Sequence, residues 1–268
     1  MLIRVASDLH LEAFSFMAVP LVIEKFVPID ERDAESVLVL AGDICSHPDF
    51  LLDFLEAIET RFKKVIYVPG NHEPYKHDFH ELNGIFQSWD QVLKNTLHPF
   101  HDGADGYAKF QVDDVEFLIT TMWADGGKTI EEKIKVGRCL NDFRLISVGS
   151  ELFSVKFMEE LHRKYRALLL KDLSAPSDLK RVVVTHHMPS THLCHPRFGN
   201  EINGGFASDL DDMFMADIKP DLWIFGHTHD TIDKMFQGVH VVCNPAGYRG
   251  EWNTEFNQYH SGPKFVEL

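Results

Sequence analysis

The stretch from Leu222 to Asp230, LWIFGHTHD, decides how the rest of the chain is read. An apolar run stops at Gly226, and His227 and His229 follow with one residue between them. A short apolar run that ends at glycine reads as a buried strand. Open α/β sheets collect their ligands beyond the carboxyl ends of such strands. Two imidazoles at that position are either ordinary turn residues or metal ligands, and the other strands have to choose between the two.

Six further runs have the same character: 2–7, 36–42, 64–70, 115–121, 181–187 and 239–244. They are near-continuously apolar and rich in β-branched residues, as strands covered on both faces are. Segments 49–62, 151–173 and 207–218 carry apolar residues at helical spacing and are expected as helices. Strands alternating with helices predict an α/β fold. With no repeat and no Pro/Ser-rich linker, residues 1–268 are expected as one domain. Segment 122–150, of weaker periodicity, is expected as a loop-rich cap insertion beside the site.

The ends of five runs carry oxygen and imidazole donors: Asp8 and His10, then Asp43, then Asn71 and His72, then His186 and His187, then His227 and His229. Taken singly, each pair is compatible with a turn, because Asp, Asn and Gly all favour turns. Taken in order, each after an apolar strand, they predict convergence on one spot. Oxygen and nitrogen donors without thiolates suit manganese, iron, zinc or similar ions.

Composition narrows the partners. The formal charge of −15 disfavours nucleic acid and anionic membrane, since both are bound through basic patches. It does not disfavour a phosphate ester, because bound cations reverse the local field. No apolar run reaches the ~18 residues of a membrane span, and no signal peptide is evident, so a cytoplasmic protein is expected. Cys45, Cys139, Cys194 and Cys243 are scattered and expected as free thiols. Oligomeric state has no signal.

The series DLH, GD, GNHE, H and GHTH between residues 8 and 229 resembles the calcineurin-like metallophosphoesterases. The resemblance implies a four-layer α/β/β/α sandwich of two mixed sheets flanked by helices, with a two-metal centre at one end. It implies that Asp8, His10 and His229 hold one ion, that Asn71, His186 and His227 hold the other, and that Asp43 bridges them. It also implies hydrolysis by a metal-bridging hydroxide, with His72 as the general acid. His187, His195, Arg197 and Arg249 are expected as substrate-side residues, and Asn244 as a support for the ligand histidines.

The sequence departs from the Ser/Thr protein phosphatases of that superfamily. Their second motif runs G-D-x-x-D-R-G and an arginine precedes G-N-H-E. Here Ser46, His47 and Pro48 stand at the Asp, Arg and Gly, and Pro69 stands before Gly70. The phosphate-gripping arginines and the carboxylate partner of His72 are thus missing from those places. The expectation is a phosphodiesterase acting on a small or nucleotide-like phosphate ester. A phosphomonoesterase on the same centre is the alternative. A non-catalytic scaffold ranks below both, because every ligand position is intact.

Overall fold

The parallel strands of this chain need cover on both faces, and the fold supplies it with a second sheet on one side and helices on the other. The computed structural model describes residues 1–198, 201–215, 219–252 and 254–268. The first part of the chain gives β1 (Leu2–Ala6), α1 (Val19–Phe26), β2 (Ser36–Ala41), α2 (Pro48–Glu59), β3 (Lys64–Val68), α3 (Phe79–Ser88) and β4 (Thr96–Leu97). Next come β5 (Tyr107–Val112), β6 (Val115–Thr120), α4 (Ile130–Cys139), α5 (Asp142–Leu145), β7 (Ser147–Val148), β8 (Glu151–Leu152) and α6 (Val155–Ser174). The chain continues with β9 (Lys180–Val184), β10 (Leu222–Phe225), β11 (Ile232–Phe236), β12 (Val239–Cys243) and β13 (Lys264–Glu267).

One sheet runs β13-β1-β2-β3-β4 and is parallel except for β13. The other runs β11-β12-β10-β9-β6-β5, with antiparallel strands at both edges. Alternation along each strand builds the layers. In β2, Val37, Val39 and Ala41 face the second sheet and meet Ile119, Val184 and Ile224. Leu38 and Leu40 face outward against Phe26 of α1 and Phe54 of α2. On the far face of the second sheet, Leu118, Val183 and Trp223 pack with Val136 of α4 and Leu169 of α6. The result is the expected four-layer α/β/β/α sandwich.

One buried polar cluster pins the outer corner of the first sheet. Asp33 accepts hydrogen bonds from Arg4 of β1 (2.7 Å) and from Arg61 after α2 (2.6 Å). Removing the carboxylate would leave Arg4 buried without its counter-charge, a loss of about 3–5 kcal/mol.

Two expectations need correction. Segment 207–218 is not a helix in its described part. Ala207 pairs with Met188, and Ser208 and Leu210 donate backbone hydrogen bonds to Met188 and Pro189, so only a 3-10 turn at Asp211–Phe214 forms. Residues 216–218 lie outside the described residues. Segment 122–150 is less loop-like than expected, since it contains α4 and α5; Thr129 caps α4 through the Glu132 N–H.

Candidate metal centre

The carboxyl ends of β1, β2, β3, β9 and β10 all open at one end of the sandwich, and the donor-bearing loops meet there. The Asp8 N–H donates to Gly42 O (2.9 Å) and the His10 N–H to Asp43 O (3.0 Å), which knits the first two loops together. Both Asp8 oxygens accept from the His227 N–H, at 2.9 and 3.1 Å, and this draws in the loop after β10. A Cβ on Gly70 would stand 2.1 Å from Asp43 Oδ1, so the loop after β3 approaches only because that residue is glycine. Glu73, the last residue of GNHE, is buried beneath and accepts from the N–H groups of Asp43, Ile44 and Gly70. Burial and the charge of Asp43 raise its pKa to about 7.

Five of the expected ligands, Asp8, His10, Asp43, His227 and His229, hold positive φ angles of 49–70°. For residues with a Cβ this left-handed backbone is costly, of order 1–3 kcal/mol each, and it persists where a site demands it.

Two sets of donor atoms without His72 come together here, and a third, His10, Asp43 and His72, overlaps both. In one, ligand atoms of Asp8, His10 and His229 all lie within 4.8 Å of one another; in the other, those of Asp43, His186 and His227 do so. The His10 and His229 Nε2 atoms are 3.1 Å apart. His229 Nδ1 donates to Glu251 Oε2 (2.7 Å) and His10 Nδ1 to Glu12 Oε1 (3.3 Å). With protons on both Nδ1 atoms, the facing Nε2 atoms must share a proton or a cation between them.

The other set repeats the pattern. His186 Nδ1 donates to Ala41 O (2.9 Å), and its Nε2 stands 3.0 Å from Asn71 Oδ1 and 3.3 Å from Asp43 Oδ1, where the proton it gives these oxygens marks the place a cation would take. Asn71 gives its amide hydrogen to Tyr75 OH (3.2 Å), which turns Oδ1 inward. His227 Nε2 is buried with no hydrogen-bond partner. A buried orphan nitrogen beside converging acceptors fits a metal ion.

His72 lies at the edge of both sets. Its Nε2 is 3.8 Å from Asp43 Oδ2 and 3.4 Å from Tyr248 OH, and its Nδ1 is 3.8 Å from Glu12 Oε1. The carboxylate missing from the second motif is therefore replaced by Glu12, two residues after His10. Burial opposes the His72 cation, but Asp43 and Glu12 outweigh it and lift the pKa to about 9. For Glu12, burial is outweighed by the hydrogen bonds of His10 and His72, which bring its pKa down to about 2.

The four residues expected on the substrate side lie elsewhere. His187 is buried behind the centre with its ring 4.4 Å from that of His227, and burial pushes its pKa well down. His195 and Arg197 pack on Phe256, and Arg197 pairs with Asp230. Arg249 is exposed and outside the lining of the cleft. Asn244 donates to Val5 O (2.8 Å) and ties the loop after β12 to β1.

Residues the sequence reading passed over do face the cleft. Tyr75 stacks on His72 (ring centroids 4.2 Å apart) and donates to Asp142. Tyr248 stacks on His10 at 4.6 Å. Glu251 orients His229. None of the three stands at a strand end, so the pattern that found the ligands could not find them.

The match to known proteins agrees with this geometry. The model of the family described as calcineurin-like phosphoesterase matches residues 1–231. The chain belongs to that family. Its chemistry is metal-dependent hydrolysis of phosphate esters. The phosphoesterase is 27% identical over 277 residues to an uncharacterized protein, L509, of Acanthamoeba polyphaga mimivirus, covering 96% of this chain and 95% of that one. In fold it is similar to the crystal structure of a phosphopantetheinyl hydrolase, PptH, from Mycobacterium tuberculosis: TM-score 0.71, 19% identity, 93% of this chain and 90% of that chain. Among the described residues, no helix is long and apolar enough to cross a membrane.

Proposed function

We propose that this phosphoesterase is a two-metal phosphodiesterase. In this reading Asp8, His10 and His229 hold one ion, Asn71, His186 and His227 hold the second, and Asp43 lies between them. Divalent ions bound there would supply Lewis-acid polarisation of the phosphoryl group and an activated water.

The chain's own residues do the rest. Glu12 and Glu251 fix the Nδ1 protons of His10 and His229, which aims both Nε2 lone pairs inward. His72 projects its Nε2 into the cleft, where it can give a proton to the departing alkoxide. Tyr75 on its face and Glu12 at its Nδ1 hold that ring in place.

The observation that favours a diester is the absence of lysine and arginine from the cleft lining among the described residues. The residues outside the description, at 199, 200, 216–218 and 253, are not basic either. A monoester dianion carries one more anionic oxygen than a diester, and beyond the His72 imidazolium that oxygen would find no side-chain cation here.

The test is a comparison of kcat/KM for bis(p-nitrophenyl) phosphate and p-nitrophenyl phosphate on manganese-loaded protein. The diester is expected to be the better substrate. A ratio below one would make the chain a phosphomonoesterase, and metal binding without turnover of either ester would make it a scaffold.

A further inference from the structure

The cleft in front of the centre encloses about 350 Å³, within the range of small-molecule pockets at about 300–1,000 Å³. One wall is the metal-ligating loops. The wall opposite is built by the end of α4, by Met188, and by residues 194–206 in their described part. It presents Leu140, Met188, Ile202 and Phe206, with Asn141 and Asn203 as neutral polar groups.

This wall is built into the fold rather than left by a passing loop. The Gly126 N–H donates to Gly204 O (2.8 Å), and a Cβ on Gly204 would stand 2.2 Å from Gly127 N. A Cβ on Gly205 would meet Leu140 Cδ1 at 2.5 Å, so Leu140 occupies the space a side chain there would need. Phe206 stacks on the His227 ring with centroids 4.9 Å apart. The wall thus leans on the His227 side of the centre, whereas His72 has Tyr75 and Tyr248 as its neighbours.

Apart from the imidazoles of the metal-side wall, the charges around the cleft are negative. Asp142, 3% exposed, lines it and accepts from Tyr75, and Glu251 lines it near His229. With no lysine or arginine in the described lining, and its histidines all on the metal side, an anionic group held away from the metal donors would meet carboxylates and apolar surface. Desolvating a charge against such a surface is costly.

Resting on the phosphodiester reading, we infer that this wall is the subsite for the ester arm retained on phosphorus. It accepts an uncharged, largely apolar arm and rejects arms carrying a second phosphate or a carboxylate. The substrate class is a phosphodiester with a single phosphoryl charge, not a nucleoside polyphosphate.

The test uses manganese-loaded protein and two diesters of equal length, hexyl p-nitrophenyl phosphate and 5-carboxypentyl p-nitrophenyl phosphate, read as p-nitrophenolate release. The neutral arm is expected to have the higher kcat/KM by about tenfold or more, chiefly through KM. Ile202→Lys and Leu140→Lys, each checked for a native melting transition, are expected to cut that preference to about threefold or less. Equal rates on the two arms, or an undiminished preference in both folded variants, would overturn the subsite while leaving the phosphodiester reading intact. Turnover of p-nitrophenyl phosphate with neither diester cleaved would overturn both.

Discussion

His10 and His229 point their Nε2 atoms at each other across 3.1 Å, and each has its Nδ1 on a carboxylate. Two ring nitrogens so placed share a proton without a cation and make a ready-made half-site with one. Metal removal is therefore expected to destabilise the fold as well as end turnover. Returning manganese to chelator-treated protein at about 100 times its dissociation constant should add about 2.7 kcal/mol. Asp43→Ala, which removes the oxygens facing both sets, should lose at least one ion per chain by elemental analysis. An unchanged melting temperature on manganese addition, or full occupancy in the variant, would refute this account.

His72 tests the division between holding metal and moving a proton. It touches Asp43, Glu12, Tyr75 and Tyr248 but is not needed to complete either donor set. His72→Ala should leave the metal content unchanged and lower kcat by about 10²–10⁴-fold on a diester with an alkyl leaving group. The loss should be smaller on a p-nitrophenyl diester, whose leaving group needs no proton. Glu12→Gln should fall between wild type and His72→Ala, because it loosens the ring without removing it. Equal losses on both leaving groups would take the acid role from His72.

The layers and the donor set were legible in the sequence for the same reason. A parallel strand covered on both faces must be apolar to its end, and a ligand must stand immediately after it, so the transition from apolar run to Asp, Asn or His marks both at once. Glu12, Tyr75, Asp142 and Glu251 follow no such period. They reach the centre from turns and a short helix, and only the folded backbone brings Glu251 to His229 across 22 residues. The misread helix at 207–218 has a related cause. Its apolar spacing is helical, but the pairing of Ala207, Ser208 and Leu210 with Met188 and Pro189 holds 207–210 in a non-helical backbone, so no first turn forms there to propagate. The loop positions of Arg197 and Arg249 say nothing of direction, and Arg197 turns to Asp230 and Phe256.

Away from the centre, His98 makes a prediction about stability and pH. It follows β4, its side chain is 1% exposed, and its Nδ1 accepts from the Phe100 N–H at 3.3 Å. Burial brings its pKa down to about 4, against the opposing pull of Asp90 at 3.2 Å. Its unfolded value is about 6.5. Between pH 6.5 and 4 the unfolded chain therefore binds the proton that the folded chain refuses, so stability rises with pH across that window. The contribution is fully present above the unfolded value and is lost as pH falls toward 4. His98→Gln removes the titrating group at similar polarity. Urea unfolding at pH 7 and pH 4.5 should show the wild type losing about 2 kcal/mol more than the variant over that interval, whatever each loses from the metal-site histidines they share. Parallel losses in the two proteins would mean that His98 is protonated as readily in the fold as out of it, and that the turn around it opens to water.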